Sequence, residues 1–301
     1  MYFVALVVLV VVALCIVFYG CSSSQNSPES SITANQILQD VSWLASDEMQ
    51  GRHYRSIEAR KAAKYIADKW KLAGLTPLPT KTSMYLPTGD SRDSPNVAAM
   101  YKGTGDTFVL ITAHYDHLKP RRSGKDKIYN GADDNASGTA ALLAIAHALS
   151  KLQTPIQSSI VLVAFTGEEA GLVGSKYFAN NSPIPLARIR GLMNLDMISR
   201  GEPNTIFLEG APDAPRINMA IVRANKQVSL NIIRNAHTDW LHRSDQAPFL
   251  EKNVPCIFLS VEDHEDYHQV TDHTDKIIPE LAAKTARLAF LAAIDLAHPV
   301  P

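Results

Sequence analysis

Apolar residues after position 32 first recur at helical spacing, then in short continuous runs, and then in alternation between the two. Ile37, Leu38, Val41 and Leu44 share one face of a helix expected to begin near Ile32, with Thr33 as its N-cap. A second helix, expected over residues 57–72, buries Ala62, Tyr65, Ile66 and Trp70 and stops at Gly74, which can take the left-handed turn that ends helices. Strands are predicted at 97–101, 108–112, 160–165, 191–197, 206–208 and 256–261. The second of these is apolar throughout, as befits a strand covered on both faces. Helices at 137–149, 175–179, 214–226 and 280–297 alternate with them. The pattern predicts one α/β domain over residues 32–301, a mainly parallel mixed sheet sandwiched by helices.

The chain's start follows another rule. Residues 2–20 are almost purely apolar and give way at Cys21 to Ser22, Ser23, Ser24 and Gln25. Residues 1–21 therefore read as a targeting or anchoring segment, and the Ser/Asn/Pro-rich stretch 22–31 as a tether. Phe18-Tyr19-Gly20-Cys21 resembles a lipoprotein signal in which Cys21 would carry the lipid. Phe18 and Tyr19 depart from the usual Leu and small residue, and no basic residue precedes Arg52. An uncleaved anchor is the other reading, since the run approaches the ~20 residues that cross a bilayer. Both place the domain outside the cytoplasm, attached to a membrane, the outer membrane included.

Composition narrows the function. Hydrophobic residues at 46% and charged residues at 20% exclude global disorder. A net charge of -1 makes nucleic acid a poor partner. Cys15 and Cys21 belong to the leader, so Cys256 stands alone in the domain and neither a disulfide framework nor a Cys-ligated zinc site is expected. Its neighbours Val254, Pro255, Ile257 and Phe258 suggest a buried thiol.

The chemistry gathers after strands. His114 and Asp116 follow the 108–112 strand, and Asp133 and Asp134 precede the 137–149 helix. Glu168 and Glu169 follow 160–165, Asp196 ends 191–197, and Asp266 and His268 come after 256–261. In a parallel sheet these loops share one edge. Buried carboxylates in such number call for compensation by cations. Three carboxylates and two neutral imidazoles carry about -3, which two divalent ions balance with about +1 left for a hydroxide. Such N/O donor sets suit zinc.

The runs AHYDHL, NGADDNASGTAAL, FTGEEAGLVGS, NLDMIS and DYHQVTDHTDKI resemble the motifs of the M28 family of zinc peptidases, which includes two-metal bacterial aminopeptidases. The likeness extends to LASDEMQGRHYRS, KAAKYIADKWKLAGL and RSDQAPFLEKNVPCIFL. It implies two Zn2+ per chain and peptide substrates. It places His114 and Asp196 on one zinc, Glu169 and His268 on the other, and Asp134 across both. Glu168 stands at the general base's position. Asp116 would assist by accepting the far N–H of His114.

Plainer roles are expected for the other polar residues. Asp133 reads as an Asx-turn residue, and His117, His264 and His273 as loop or outer hydrogen-bonding groups. His237 and His242 read as loop surface that could line the substrate pocket. Glu48 and Arg52 read as helix-end or packing pairs. The family often has His where Gln246 stands, which puts a pocket role for Gln246 in doubt. Residues 78–96 leave no room for a large inserted domain, which favours a compact exopeptidase. Alternatives are a glutaminyl cyclase-like transferase with one zinc, an M20-like dipeptidase or deacylase, and a non-catalytic peptide- or metal-binding lipoprotein. The sequence does not set the oligomeric state.

Overall fold

A computed structural model describes residues 27–298, and its centre is built from the strands that are apolar at nearly every position. The expected leader (1–21) and the first half of the tether (22–26) lie outside the described residues. Pro28–Ser31, at the tether's end, form a single 3-10 turn. The strands are β1 (Tyr85–Leu86), β2 (Asn96–Tyr101), β3 (Phe108–His114), β4 (Ser159–Phe165), β5 (Ile189–Leu195), β6 (Thr205–Glu209), β7 (Asn231–Arg234) and β8 (Cys256–Ser260). They form one sheet in the order β1-β2-β4-β3-β5-β8-β6-β7. Its centre is parallel, through the β4/β3, β3/β5 and β5/β8 pairs. β2 and β6 join that centre antiparallel, so the sheet is mixed as expected.

Side chains alternate across a strand, so an unbroken apolar run feeds two cores. Val109, Ile111 and Ala113 of β3 face the larger core, with Ile160, Leu162 and Ala164 of β4. Phe108 and Leu110 face the smaller one, with Val161, Val163 and Phe165. The helices are α1 (Ala34–Leu44), α2 (Ile57–Leu72), α3 (Gly138–Leu149), α4 (Val173–Asn180), α5 (Pro215–Val228), α6 (Ala247–Leu250) and α7 (Pro279–Ala297). The larger core lies beneath α1, α2, α3, α5 and α7, and the smaller beneath α4 and α6.

Local chemistry set several boundaries correctly. Thr33 Oγ1 accepts the Gln36 N–H as N-cap of α1, and Gly74 takes φ +77 after α2. Other details differ. Leu38 is exposed, and Asp40 joins the buried face of α1, where its carboxylate meets Tyr65 and Lys69. β5 begins two residues earlier than expected and ends at Leu195, so Asp196 lies in the loop. α3 starts at Gly138, after an irregular turn. β1, β7 and α6 were not anticipated: two to four residues are too few to show a period.

Candidate metal centre

β3, β4, β5 and β8 run the same way, so their carboxyl ends open onto a single edge. His114 is the last residue of β3. Asp134 lies in the connection to α3, within the irregular turn Ala132–Ser137, and the Asp134–Asn135 peptide bond is cis. Glu168 and Glu169 follow β4, Asp196 follows β5, and His268 follows β8. Gly131 opens the turn at φ +59, and a Cβ there would collide with the Asp134 carbonyl and the His117 ring. Only glycine allows so close a passage.

Asp134 faces two sets of donors. Its Oδ1 lies 3.4 Å from His114 Nε2, which is 3.2 Å from Asp196 Oδ1. Its Oδ2 lies 3.3 Å from His268 Nε2, which is 3.1 Å from Glu169 Oε2. Ligands held about 2.05 Å from a tetrahedral zinc stand ~3.3 Å from one another. Both sets match that spacing, and both offer the nitrogen and carboxylate oxygen that zinc takes. The donor atoms of His117, Asp134 and Glu169 also lie within 4.8 Å of one another. His117 Nδ1, however, is 2.7 Å from Glu169 Oε1. That is a direct hydrogen-bond distance, shorter than the gap between two ligands of one zinc. His117 thus steadies Glu169, while His268 faces the same place through the carboxylate's other oxygen.

The electrostatics ask for cations. Burial alone lowers the pKa of His114, yet the Asp196, Glu168 and Asp134 carboxylates lift it well above its ordinary value. Asp134 moves the other way: burial raises it, but the His117, His114 and His268 rings pull it well below the usual range. Imidazoles that must carry protons cannot also be ligands, whereas divalent ions would supply the charge and leave the ring nitrogens free. Glu168 behaves differently again. Burial lifts its carboxyl well above the ordinary range, with Asp196, Asp245 and Glu169 adding to the rise and His114 opposing it.

Comparison with known proteins places this arrangement. The sequence profile described as "Peptidase family M28" matches residues 96–293, about two thirds of the chain and all the donors above. The chain belongs to peptidase family M28. Family membership accords with the enzyme class and the zinc cofactor expected from the sequence. Leupeptin-inactivating enzyme 1 of Streptomyces exfoliatus is 29% identical over 219 residues, covering 72% of this chain and 46% of that one. This chain spans about half the length of the curated relatives it matches. The fold is shared with the LapA aminopeptidase of Legionella pneumophila (TM-score 0.75, 20% identity, 91% of this chain and 73% of that one). It is shared too with the glutaminyl cyclase of Porphyromonas gingivalis (TM-score 0.69, 18% identity, 86% and 97%).

Several M28 motif residues sit differently from expectation. His114 Nδ1 meets the main-chain carbonyl of Asp116 at 3.2 Å, while the Asp116 carboxylate is 3.8 Å away. The carbonyl therefore fixes the tautomer that turns Nε2 toward the site. The Asp116 carboxylate instead accepts the Glu168 N–H at 3.2 Å. Burial, together with Glu169 and Asp245 and against His114, raises its pKa to about 7. Asp116 is a positioning residue for both partners. Asp116→Ala keeps the carbonyl that orients His114 but removes the acceptor of the Glu168 N–H, so it should lower kcat about tenfold while zinc affinity stays parental. Steady-state kinetics beside competition with a chelating dye measures both, and parental kcat or weakened zinc binding would remove Asp116 from that role. Asp133 is no Asx-turn residue: its carboxylate accepts from the Ser199 N–H and hydroxyl, and His264 Nε2 lies 3.1 Å away. His237 stacks on Trp240 at 4.0 Å, and its Nε2 lies 2.7 Å from Glu262.

Other supports lie within the motif runs, but their roles emerge only in the fold. Asp272 accepts the N–H groups of Asp133 and Asp134 and so holds the bridging turn. Ser244 donates to Asp196 Oδ2 at 2.7 Å. Gln246 is fully buried, accepting from Asn194 and donating to the Trp240 and Leu241 carbonyls. It thereby fixes the loop that brings Trp240 to the pocket, where Met197, Phe258 and Val261 form the apolar wall beside the donors. Arg52 was misread. It pairs with no glutamate, and its fully buried guanidinium donates to the carbonyls of Leu44, Tyr115, Asn130 and Gly131.

Proposed function

We propose that this chain is a two-zinc aminopeptidase that removes N-terminal residues from peptides. The observation carrying this reading is Asp134, whose two carboxylate oxygens each face a separate set of donors at ligand spacing. His114 and Asp196 would hold one ion, Glu169 and His268 the other, with Asp134 shared. When bound, zinc supplies Lewis-acid chemistry, acidifying water and polarising a carbonyl.

The chain's own groups do the rest. Glu168 lines the pocket beside His114, Asp134 and Asp196. Its Asp116-bonded main chain holds the carboxylate where it can take a proton from the attacking water and pass it to the leaving amine. Glu169 is committed to His117 and His268, so adjacent glutamates divide the work. The pocket of Met197, Trp240, Phe258 and Val261 excludes water from one flank of the reacting bond. The apolar start and Cys21 support placing this activity on the non-cytoplasmic side of a membrane, to which the N-terminus attaches.

A peptide-library digest with mass-spectrometric readout should show stepwise loss of N-terminal residues. A chelator should stop it, and returning zinc should restore it. Internal cleavage, or hydrolysis indifferent to chelator, would overturn the proposal. The cyclase fold-mate supports a second reading, cyclisation of N-terminal glutamine with a single zinc. Ammonia release from a Gln-peptide, with one tightly bound zinc per active chain, would favour it.

A further inference from the structure

A second cavity adjoins the metal centre on the side away from Trp240. It measures about 340 Å³ and is lined by His53, Tyr54, His117, Leu118, Lys119, Tyr129, Glu169 and Ala170. Its inner wall is thus the His117–Glu169 pair, next in sequence to Glu168. Its outer wall leads onto an exposed loop in which Lys119, Arg121, Arg122, Lys125 and Lys127 face a single acid, Asp126. That is a dense positive charge on a chain whose net charge is -1. Asp126 lies 3.5 Å from His273. None of the five cations has a carboxylate within 4.0 Å among the described residues. By contrast, the cation beside Tyr54, Arg55, is tied to Asp90 and Asp93.

The loop is held firmly at its base. Arg52 binds the Tyr115, Asn130 and Gly131 carbonyls on either side of it. A Cβ at Gly51 would run into the Leu118 and Tyr129 carbonyls. Arg121 folds back through its N–H to the Lys127 carbonyl, with its guanidinium 5.8 Å from the Tyr129 ring centroid. Lys119 lines the cavity beside Glu169, Arg121 reaches the Tyr129 ring that also lines it, and the other three cations add their charge from the same short loop.

Direction along the site follows from shape. The pocket has buried walls of Met197, Trp240, Phe258 and Val261 beneath an exposed rim of Arg243 and Asp263, which suits a single residue at a peptide's end. The rest of the peptide must leave by the other flank, toward Lys119. We propose that the cavity and the basic loop form a leaving-side subsite for a carboxylate. That carboxylate is the side chain of Asp or Glu directly after the scissile bond, or the free C-terminus of a dipeptide. The subsite rests on the aminopeptidase reading and gives it a substrate class: short or acidic peptides.

The test uses the full-length zinc-loaded protein and peptides sharing the N-terminal residue cleaved fastest in the digest. Four followers are compared: free Ala, Ala-amide, Glu-amide and Lys-amide. The kcat/KM for free Ala and for Glu-amide should each exceed that for Ala-amide about five- to tenfold, with Lys-amide slowest. Preference for free Ala alone assigns the subsite to the C-terminus, and for Glu-amide alone to the side chain. Near 1 M salt, where the screening length is about 3 Å, the preference should fade. Lys119→Glu should invert the ratio of Glu-amide to Lys-amide. The triple change Arg121→Ser, Arg122→Ser, Lys125→Ser, confined to exposed positions, should flatten it. Cleavage of all four at equal efficiency overturns the subsite and leaves the peptidase intact. Equal efficiency with loop-dependent binding to anionic phospholipid vesicles also overturns it, giving the loop to the membrane. No cleavage of any peptide removes both readings.

Discussion

Glu168→Gln is expected to keep both zinc ions yet turn peptide over about 10²–10⁴-fold more slowly. The amide has the size and shape of the carboxylate but cannot accept the water's proton. Nothing in the donor sets depends on Glu168, because the close contacts to Asp134 come from His114, His117 and His268. The surroundings also suit a group that carries a proton through part of the cycle, since burial and the carboxylates of Asp196, Asp245 and Glu169 push the Glu168 pKa upward. Metal analysis of the purified variant beside its steady-state kinetics separates the two properties. Parental kcat at full zinc occupancy would strip Glu168 of the base's role. Lost zinc would recast it as a ligand.

Arg52→Ala should be the most destabilising single change near the site, by about 3 kcal/mol or more in denaturant unfolding. Four carbonyls from three separate segments would lose their donor in a place water does not reach. Burial lowers the Arg52 pKa to about 10, against the fields of Asp116, Asp134, Asp272 and Glu169, so the guanidinium stays charged at neutral pH. Its removal would also leave those carboxylates with less positive charge nearby. Arg52→Lys keeps the charge but cannot span four acceptors with one ammonium, and should recover only part of the loss. The stabilisation that added zinc gives should shrink in the alanine variant, because the Gly131 carbonyl it releases adjoins the turn carrying Asp134. An unfolding midpoint and zinc response equal to the parent's would show the hub to be dispensable.

Reading the sequence worked where physics acts locally. The 3.6-residue period of Ile57–Leu72 and the unbroken apolar run of β3 gave the right elements, because burial stripes and two-sided burial leave plain patterns. The strand-end positions of His114, Glu168, Glu169 and Asp196 followed from the parallel sheet alone. What escaped were contacts between residues far apart in the chain. Arg52 read as a helix-end or packing partner of Glu48, since a fully buried arginine is rare and nothing nearby in sequence announces its four acceptors. Asp272 and Ser244 reach the site only through folding. Residues 119–127 look like any polar connection, and only folding sets Lys119 beside Glu169. Asp116 was assigned the right neighbour through the wrong atom, because main-chain acceptors leave no mark in a sequence.

The outermost strands are also the shortest, β1 with two residues and β7 with four. Sheet margins expose unpaired N–H and C=O groups that can template the addition of another chain, and brief margins offer few of them. An interior as oily as that of β3 and β4 is thus guarded at both ends, so crowding of many copies should give little cross-chain strand exchange.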